Sequence, residues 1–377
     1  MASLCRLSPP GLRLARVSPR AAHPSPSSAF GDHPLPRAQQ SALTEADELP
    51  GFGTDVSTTL AWAVGVGIAR DDARSLADDW SFLAAAAERD VAAARILEPH
   101  LDALDILEQA RRADVGPDLA AIGADPGSSW GVFAAEGAGV RLDAHRGGSG
   151  WMLTGTKPWC SLAQHLTHAL VTAWVGDERR LFAVALQRPE VRSHDGPWHA
   201  RGLRQVVSAP VDFAAAPAVP VGEPGWYLRR PGFAAGGVGV AACWWGGAIP
   251  LRAALLAAAQ GDGADQLSRL HLGRVDTALW TARLALQSAA HEMDAAPAAS
   301  DRVPEPGILA ARVRAIVAGA VETTLAESAR ALGPLPLVAD DAHARRVADL
   351  EIYLRQHHGE RDLARIGADL SQGRGAW

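Results

Sequence analysis

The stretch Gly150–Ala163 (GWMLTGTKPWCSLA) gathers several residues of types that do chemistry. Lys157 is the only lysine in a chain with 36 basic residues, so every other positive side chain is arginine. A second candidate is His357. It shares a helical stripe with Val347, Leu350 and Leu354, which predicts an inward-facing position on a last helix over 342–370. An imidazole with an ordinary pKa of ~6.5 can take up or release a proton near neutral pH. Glu360, Arg361 and Asp362 follow it as a charged cluster. Other chemistries find less support. His165 and His168, and His194 and His199, are close in sequence. They lack a helical HExxH pattern or cysteine partners, so no metal site is expected. No G-x-S-x-G elbow is present for serine hydrolysis. Gly65 and Gly67, and the run Gly236–Gly239, lack the spacing and context of a nucleotide loop.

The elements that must position these residues follow from periodicity. In Gly150–Thr156 side-chain character alternates at period two, Gly155 interrupts the run, and Pro158 excludes helix at Lys157. Similar short segments are expected at 130–133, 140–144, 169–174, 181–186 and 206–213, with turn residues between them. No long helix intervenes, so the strands are expected to be antiparallel and to form a small barrel or sandwich. Before them, residues 54–113 read as helical, with Phe82, Ala86, Val91, Ala94, Leu97, Leu101, Leu104 and Leu107 on one stripe and Pro99 bending it or opening a new helix. After Gly232 the pattern is helical again. The fold class is therefore α+β: a disordered extension (1–50), an N-terminal helical domain (51–127), a middle antiparallel β-barrel or sandwich (128–233) and a C-terminal helical bundle (234–377). The extension is Ser-, Pro- and Arg-rich, with no acid before Asp32, and has no apolar face to bury.

Composition excludes some functions. The net charge of −6 offers no basic footprint for nucleic acid. Three separated cysteines (Cys5, Cys160, Cys243) suit a reducing cytoplasm better than a disulfide framework. The apolar run Leu60–Ala69 is about half of the ~20 residues a spanning helix needs, and no membrane span is expected.

The motif G-x-K-x-W-x-S over Gly155–Ser161, followed by Ala163, resembles the middle-domain signature of the acyl-CoA dehydrogenase family. The resemblance implies FAD as cofactor, with Trp159 packed on one flavin face and Ser161 bonded to the reducible flavin nitrogen. Phe133–Gly139 is similar to the family's T-E-x-x-x-G segment, which makes Glu136 a cofactor-binding candidate. Gly202-Leu203-Arg204, Val211-Asp212-Phe213, Val219-Pro220 and Gly225 resemble the end of the family's β domain. Gly273–Asp294 resembles a helix of its bundle. There are departures: Ala135 and Val140-Arg141 replace the family's Thr and Ser-Asp. The Arg-x-x-Phe-Gly segment that holds the FAD pyrophosphate across subunits has no counterpart, and Gln260–Gln266 lies there instead. Laying Asp349–Tyr353 on the family's Arg-Asp run puts His357 where its glutamate base would be, so His357 is the catalytic candidate. The implied activity is α,β-dehydrogenation of an acyl thioester such as acyl-CoA. A reduced-flavin monooxygenase of the same fold and a non-catalytic subunit partnering an active homologue are the alternatives. The resemblance also implies a homo-oligomer, or assembly with a related chain, and Trp244 and Trp245 are expected on the bundle exterior as an apolar patch.

Overall fold

The computed structural model describes residues 28–71, 74–148, 150–295 and 306–375. The described residues open with four helices: α1 (Arg37–Glu48), α2 (Val56–Ile68), α3 (Leu76–Arg89) and α4 (Val91–Arg112). Their starts are written in the caps. The Asp55 side chain accepts from the Thr58 N–H, Ser75 and Asp78 form a reciprocal capping box, and the Asp90 side chain accepts from the Ala93 N–H. The stripe read as continuous is thus divided at Asp90, whereas Pro99 lies inside α4 without ending it. The expected disordered extension is corrected for residues 28–50: Phe30, Leu35 and Leu43 are buried, and the Phe30 ring meets Trp245 edge-on at 5.2 Å. These isolated apolar residues have no periodic face of their own, so tertiary contact supplies what local sequence does not. The first 27 residues of that expectation lie outside the described residues.

Seven strands follow: β1 (Trp130–Phe133), β2 (Leu142–Gly147), β3 (Gly150–Ser161), β4 (His168–Val175), β5 (Glu178–Ala185), β6 (Val191–Ser193) and β7 (Ser208–Val221). The ring β4-β2-β3-β7-β5 returns to β4 and closes a barrel, with β1 added on β4 and β6 on β7. The fully antiparallel expectation is corrected, because β1 and β2 both run parallel to β4. They follow the same edge of β4, and the loop at residues 134–141 interrupts one line of travel without reversing it. Leu153, Phe182, Val184, Val211 and Phe213 fill the interior.

The remainder is helical: α5 (Trp226–Arg229), α6 (Phe233–Gln260), α7 (Gln266–Ala295), α8 (Pro306–Leu332), α9 (Leu335–Ala339), α10 (Asp341–Tyr353) and α11 (Glu360–Ser371). At 28 residues, α6 is long and apolar enough to cross a membrane by length and composition, beyond the run noted above. Here it is a core helix, packed by α3, α7, α8 and α10. Trp244 is fully buried and Trp245 is 9% exposed, which corrects their expected exterior position. Exposed apolar side chains of the bundle instead include Leu267, Leu270, Trp280 and Leu284 on α7 and Ile316 on α8. Arg346 fastens α10 by donating to the carbonyls of Ala87, Glu88 and Arg89 at the end of α3 and to Gly247 of α6. The single helix expected over 342–370 is also corrected. It stops at Tyr353, passes through a 3-10 turn at Leu354–Gln356 and resumes at Glu360, with Gly359 at φ +55° making the corner.

Two contacts yield quantitative expectations. At Gly246, α6 touches α3 so closely that an added Cβ would overlap the Ala84 carbonyl. Gly246→Ala is expected to lower the unfolding free energy by about 2–3 kcal/mol in urea titration. Gly65→Ala, on an exposed turn of α2 with open space around it, should leave it unchanged or raise it by up to ~1 kcal/mol.

The second contact joins α4 to the barrel: the Trp130 N–H donates to His100 Nδ1 at 3.2 Å. Burial and the Arg70 charge depress the His100 pKa from 6.5 to about 4, so the ring is neutral when folded. The unfolded chain then binds the extra proton, and this group's contribution is lost as pH falls from 6.5 towards 4. Glu98 and Asp349, raised to about 7 and about 6 by burial, act in the opposite sense and lose their contribution as pH rises. The His100 part is therefore visible as a difference. Relative to the parent, His100→Asn should flatten acid destabilisation between pH 6.5 and 4 by roughly 3 kcal/mol.

Candidate functional site

The site is built on an irregularity in β3. Lys157 pairs with Val211 and Cys160 with Ala209, so one extra residue of β3 is accommodated opposite Pro210. Pro210 has no N–H to contribute, which removes one reason for the ladder to stay regular there. Trp159 takes φ +59°, an uncommon conformation for a bulky residue. The consequence is an inversion of the alternation. Leu153 and Lys157 point inward; beyond the bulge Cys160 points inward, and Trp159 stands 61% exposed. Without the extra residue Trp159 would share the face of Lys157. Leu162 (φ +61°) and Leu203 (φ +47°) also hold left-handed backbone at this corner. The Leu203 N–H donates to the buried Asp349 carboxylate on α10 at 2.5 Å, tying the corner to the bundle.

Ser161 lies next along the same face. Its Oγ accepts from Arg95 Nη2 at 2.9 Å and shares a 2.6 Å bond with Ser208 Oγ, which can in turn donate to the Val206 carbonyl at 3.3 Å. One lone pair stays free on the Ser161 hydroxyl if it donates to Ser208. Should Ser208 donate instead, the Ser161 O–H is released for another partner. Trp159 and Ser161, separated by one residue, are therefore turned out together.

The other sequence candidates occupy different surroundings. Glu136 Oε1 accepts from Lys157 Nζ at 2.7 Å, and Oε2 accepts from Trp174 Nε1 at 3.3 Å. Arg179 Nη1 lies 3.7 Å away. Lys157 is buried, donates also to Thr172 Oγ1 at 2.9 Å, and has its pKa lowered by desolvation, with Glu136 opposing that shift. Glu136 thus serves as the counter-ion of the lone lysine. It remains beside the bulge through Gly137, which packs on Pro158. His357 sits at the α10–α11 corner in extended backbone, not on a continuous helix. Its ring packs on Trp244 at 6.2 Å, and Nδ1 lies 3.4 Å from Asp362 Oδ2, too poorly aligned for a hydrogen bond. Burial, then the Arg314 charge, lower its pKa below 6.5.

Between Ser161 and His357 lies a set of residues that spacing alone did not single out. Arg95 projects towards the Tyr353 ring at 5.8 Å, Tyr353 meets Trp244 edge-on at 6.2 Å, and Arg314 stacks over Trp244 at 4.8 Å. Glu98 is buried nearby, its pKa pushed up to about 7 by desolvation with Arg95 and Arg314 opposing. One signal could have found this group. Arg95 and Glu98 fall in the thick of an apolar stretch of α4, between Ala94, Ile96 and Leu97, where unpaired charge is costly.

Comparison with known proteins gives the architecture a context. No protein-family model matches the chain, and no curated protein sequence does. Solved structures do. KijD3, solved in complex with FMN and dTDP-3-amino-2,3,6-trideoxy-4-keto-3-methyl-D-glucose, superposes with a TM-score of 0.76 at 20% identity over 93% of this chain and 97% of that one. The dibenzothiophene monooxygenase TdsC from Paenibacillus sp. A11-2 gives 0.72 at 14% identity, covering 90% and 98%. Butyryl-CoA dehydrogenase from Megasphaera elsdenii gives 0.71 at 16% identity, covering 90% and 100%. Helices, closed barrel and bundle together therefore make up the acyl-CoA dehydrogenase fold.

Proposed function

We propose that this protein is a flavin-dependent oxidoreductase, and that it works as a reduced-flavin monooxygenase on a small polar molecule. The observation that carries this reading is the outward-turned pair Trp159 and Ser161 at the junction of barrel and helices. An exposed indole offers a flat apolar face to a planar ring system, with a stacking contribution of about 1 kcal/mol beyond buried area. The adjacent hydroxyl, with its exchangeable donor role towards Ser208, suits a ring edge that accepts in one redox state and donates in the other. The residues fit a flavin ring.

FMN is the form favoured. The connection between α6 and α7 is the short turn Gly261–Asp265, leaving little chain to hold a second phosphate and adenosine, and KijD3 was solved with FMN. Reduced flavin would supply the electrons by which one atom of dioxygen passes to substrate and the other leaves as water. The protein's own residues bind and orient. Trp159 would hold the ring, Ser161 would address its edge, and His357 would move a proton. Glu136 holds Lys157 and so the strand behind the bulge.

The choice of oxygenation over thioester dehydrogenation rests on what surrounds Ser161. Arg95, Glu98 and Arg314 are charged or ionisable, and the acyl chain of a thioester would have to be buried against them without hydrogen bonds to offer. Dehydrogenation is the second reading, because the sequence register lays His357 on the family's glutamate base. Oxygen uptake with chemically reduced FMN supports the first reading. Bleaching of bound flavin by butyryl-CoA under anaerobic conditions supports the second.

The cofactor assignment predicts that FMN titrated into the purified protein quenches its flavin fluorescence. Trp159→Ala should weaken that binding roughly tenfold while the melting temperature stays within two or three degrees or so. An unchanged affinity would remove Trp159 from the site.

For His357, the lowered pKa leaves the ring neutral and able to accept a proton at pH 7. Turnover should fall as pH drops through that pKa, giving an acidic limb below 6.5. His357→Gln should keep FMN affinity, lose about 10²–10⁴-fold in kcat and lose the limb. A structural histidine would instead cost stability and leave the rate per folded molecule intact.

A further inference from the structure

Five side chains from four helices meet behind Ser161: Arg95 and Glu98 on α4, Trp244 on α6, Arg314 on α8 and Tyr353 at the end of α10. Their polar atoms are incompletely used. Arg95 Nη1, Trp244 Nε1 and the Tyr353 hydroxyl are buried with no nitrogen or oxygen partner, the last lying only against the weakly bonding Cys243 thiol. Leaving a buried donor unpaired is costly, and three on adjoining side chains make an unusual concentration.

The charges are as unbalanced as the hydrogen bonds. Arg95 bonds through Nη2 to the Ser161 hydroxyl. Arg314 bonds to two carbonyls, those of Gly237 at 2.5 Å and Gln356 at 3.1 Å. Neither guanidinium has a carboxylate among its hydrogen-bond or ion-pair partners in the described residues. Glu98 is the acid that bears on both, and at a pKa of about 7 it is only partly ionised at neutral pH, while Asp362 acts on Arg314 ahead of Glu98. Around Arg95 the cluster therefore presents positive charge and surplus donors, beside the indole of Trp244 and the phenol ring of Tyr353.

We infer that this cluster is a receptor for the carboxylate of a small organic acid with an apolar or aromatic body, gripped by Arg95 and the free Trp244 and Tyr353 donors, with Arg314 as a second charge. This names a substrate class for the proposed oxygenase, and its location beside Ser161 rests on that reading. The chemistry of recognition stands without it. A carboxylate matches a guanidinium in plane and can accept from several donors at once. The rings suit the apolar body, and a neutral isostere would leave the buried donors and charge less well satisfied.

The test uses the full chain without flavin. Benzoate, benzamide and inorganic phosphate are titrated separately, reading the melting temperature and tryptophan fluorescence. Saturable binding of benzoate is expected, with benzamide at least tenfold weaker and phosphate without effect on fluorescence. Arg95→Gln should weaken benzoate tenfold or more, Arg95→Lys less, and Glu98→Gln should tighten it by removing a competing negative charge. Equal binding of benzoate and benzamide would overturn the proposal. So would phosphate binding as well as benzoate, or benzoate affinity indifferent to both Arg95→Gln and Glu98→Gln. If Arg95→Gln does not fold, Arg95→Lys and Glu98→Gln decide alone. Trp159→Ala separates the two readings, because it should weaken FMN binding roughly tenfold and leave the benzoate titration unchanged. FMN binding by the parent with no benzoate site sinks only the carboxylate proposal, whereas a benzoate site in a chain that never takes up FMN sinks the oxygenase reading.

Discussion

One extra residue in β3 decides what the rest of the molecule can do. Side chains on a strand alternate strictly, so a single insertion exchanges inside for outside along everything that follows. Upstream of the insertion, Lys157 is committed to the barrel interior by its bonds to Glu136 and Thr172. Downstream, Cys160 is committed to the interior by its own burial. Trp159 must absorb the difference, and it does so in a left-handed conformation that a bulky residue adopts at a cost of about 1–3 kcal/mol. That strain is held by neighbours on both sides: Gly137 against Pro158, and Pro210 across the ladder. The buried lysine is thus an anchor for the tryptophan two residues on.

Turning Trp159 and Ser161 outward would be of no use without a wall to face. The wall is made of helices far apart in sequence, brought together by contacts with little tolerance. Gly246 allows α6 to meet the backbone of α3 directly, and Arg346 ties α10 to the carbonyls at the end of α3. Gly202 performs the same service for the loop between β6 and β7, lying against the Ala348 carbonyl of α10. Asp349, the next residue, accepts from Leu203. Barrel corner and α10 are therefore locked in register.

Legibility in the sequence followed the range of the interaction concerned. Period-two runs bounded by glycine and proline made β1 exact at Trp130–Phe133 and placed most of the other strands within a few residues. The closing of the barrel, and the parallel course of β1 and β2, depend on pairing between distant segments that no local pattern reports. The short strand β6 (Val191–Ser193) was too brief to show any period. Helical stripes identified the bundle but not its breaks: the turn at Leu354–Gln356 continues a helix-like pattern, and only Gly359 hints at the corner. Trp244 and Trp245 were misplaced because composition says that a helix is apolar without saying which neighbours cover it. Of the candidate site, the G-x-K-x-W-x-S motif located Trp159 and Ser161, while the partners of Ser161 came from α4 and β7, beyond the reach of any spacing rule.

Strain, unpaired donors and guanidinium groups without carboxylates meet at one junction of this fold. Three of the five non-glycine residues with left-handed backbone, Trp159, Leu162 and Leu203, stand at one corner of the barrel. Buried donors without partners on Arg95, Trp244 and Tyr353 lie on the helices that face it. Elsewhere Lys157 has its carboxylate and Arg230, buried against α4, is paired with Asp102, although Arg230 Nε and Arg345 Nη1 are also buried without partners. Where strained backbone, unpaired donors and guanidinium groups without carboxylates coincide, local rules are broken in a place that a bound partner could complete. The acyl-CoA dehydrogenase fold supplies the barrel and the bundle common to its structural neighbours. What is particular to this chain is the charge placed between them. Arg95 and Glu98, a single turn apart on α4, set an electrostatic environment in which an acceptor-bearing polar ligand is stabilised and a plain hydrocarbon tail is not.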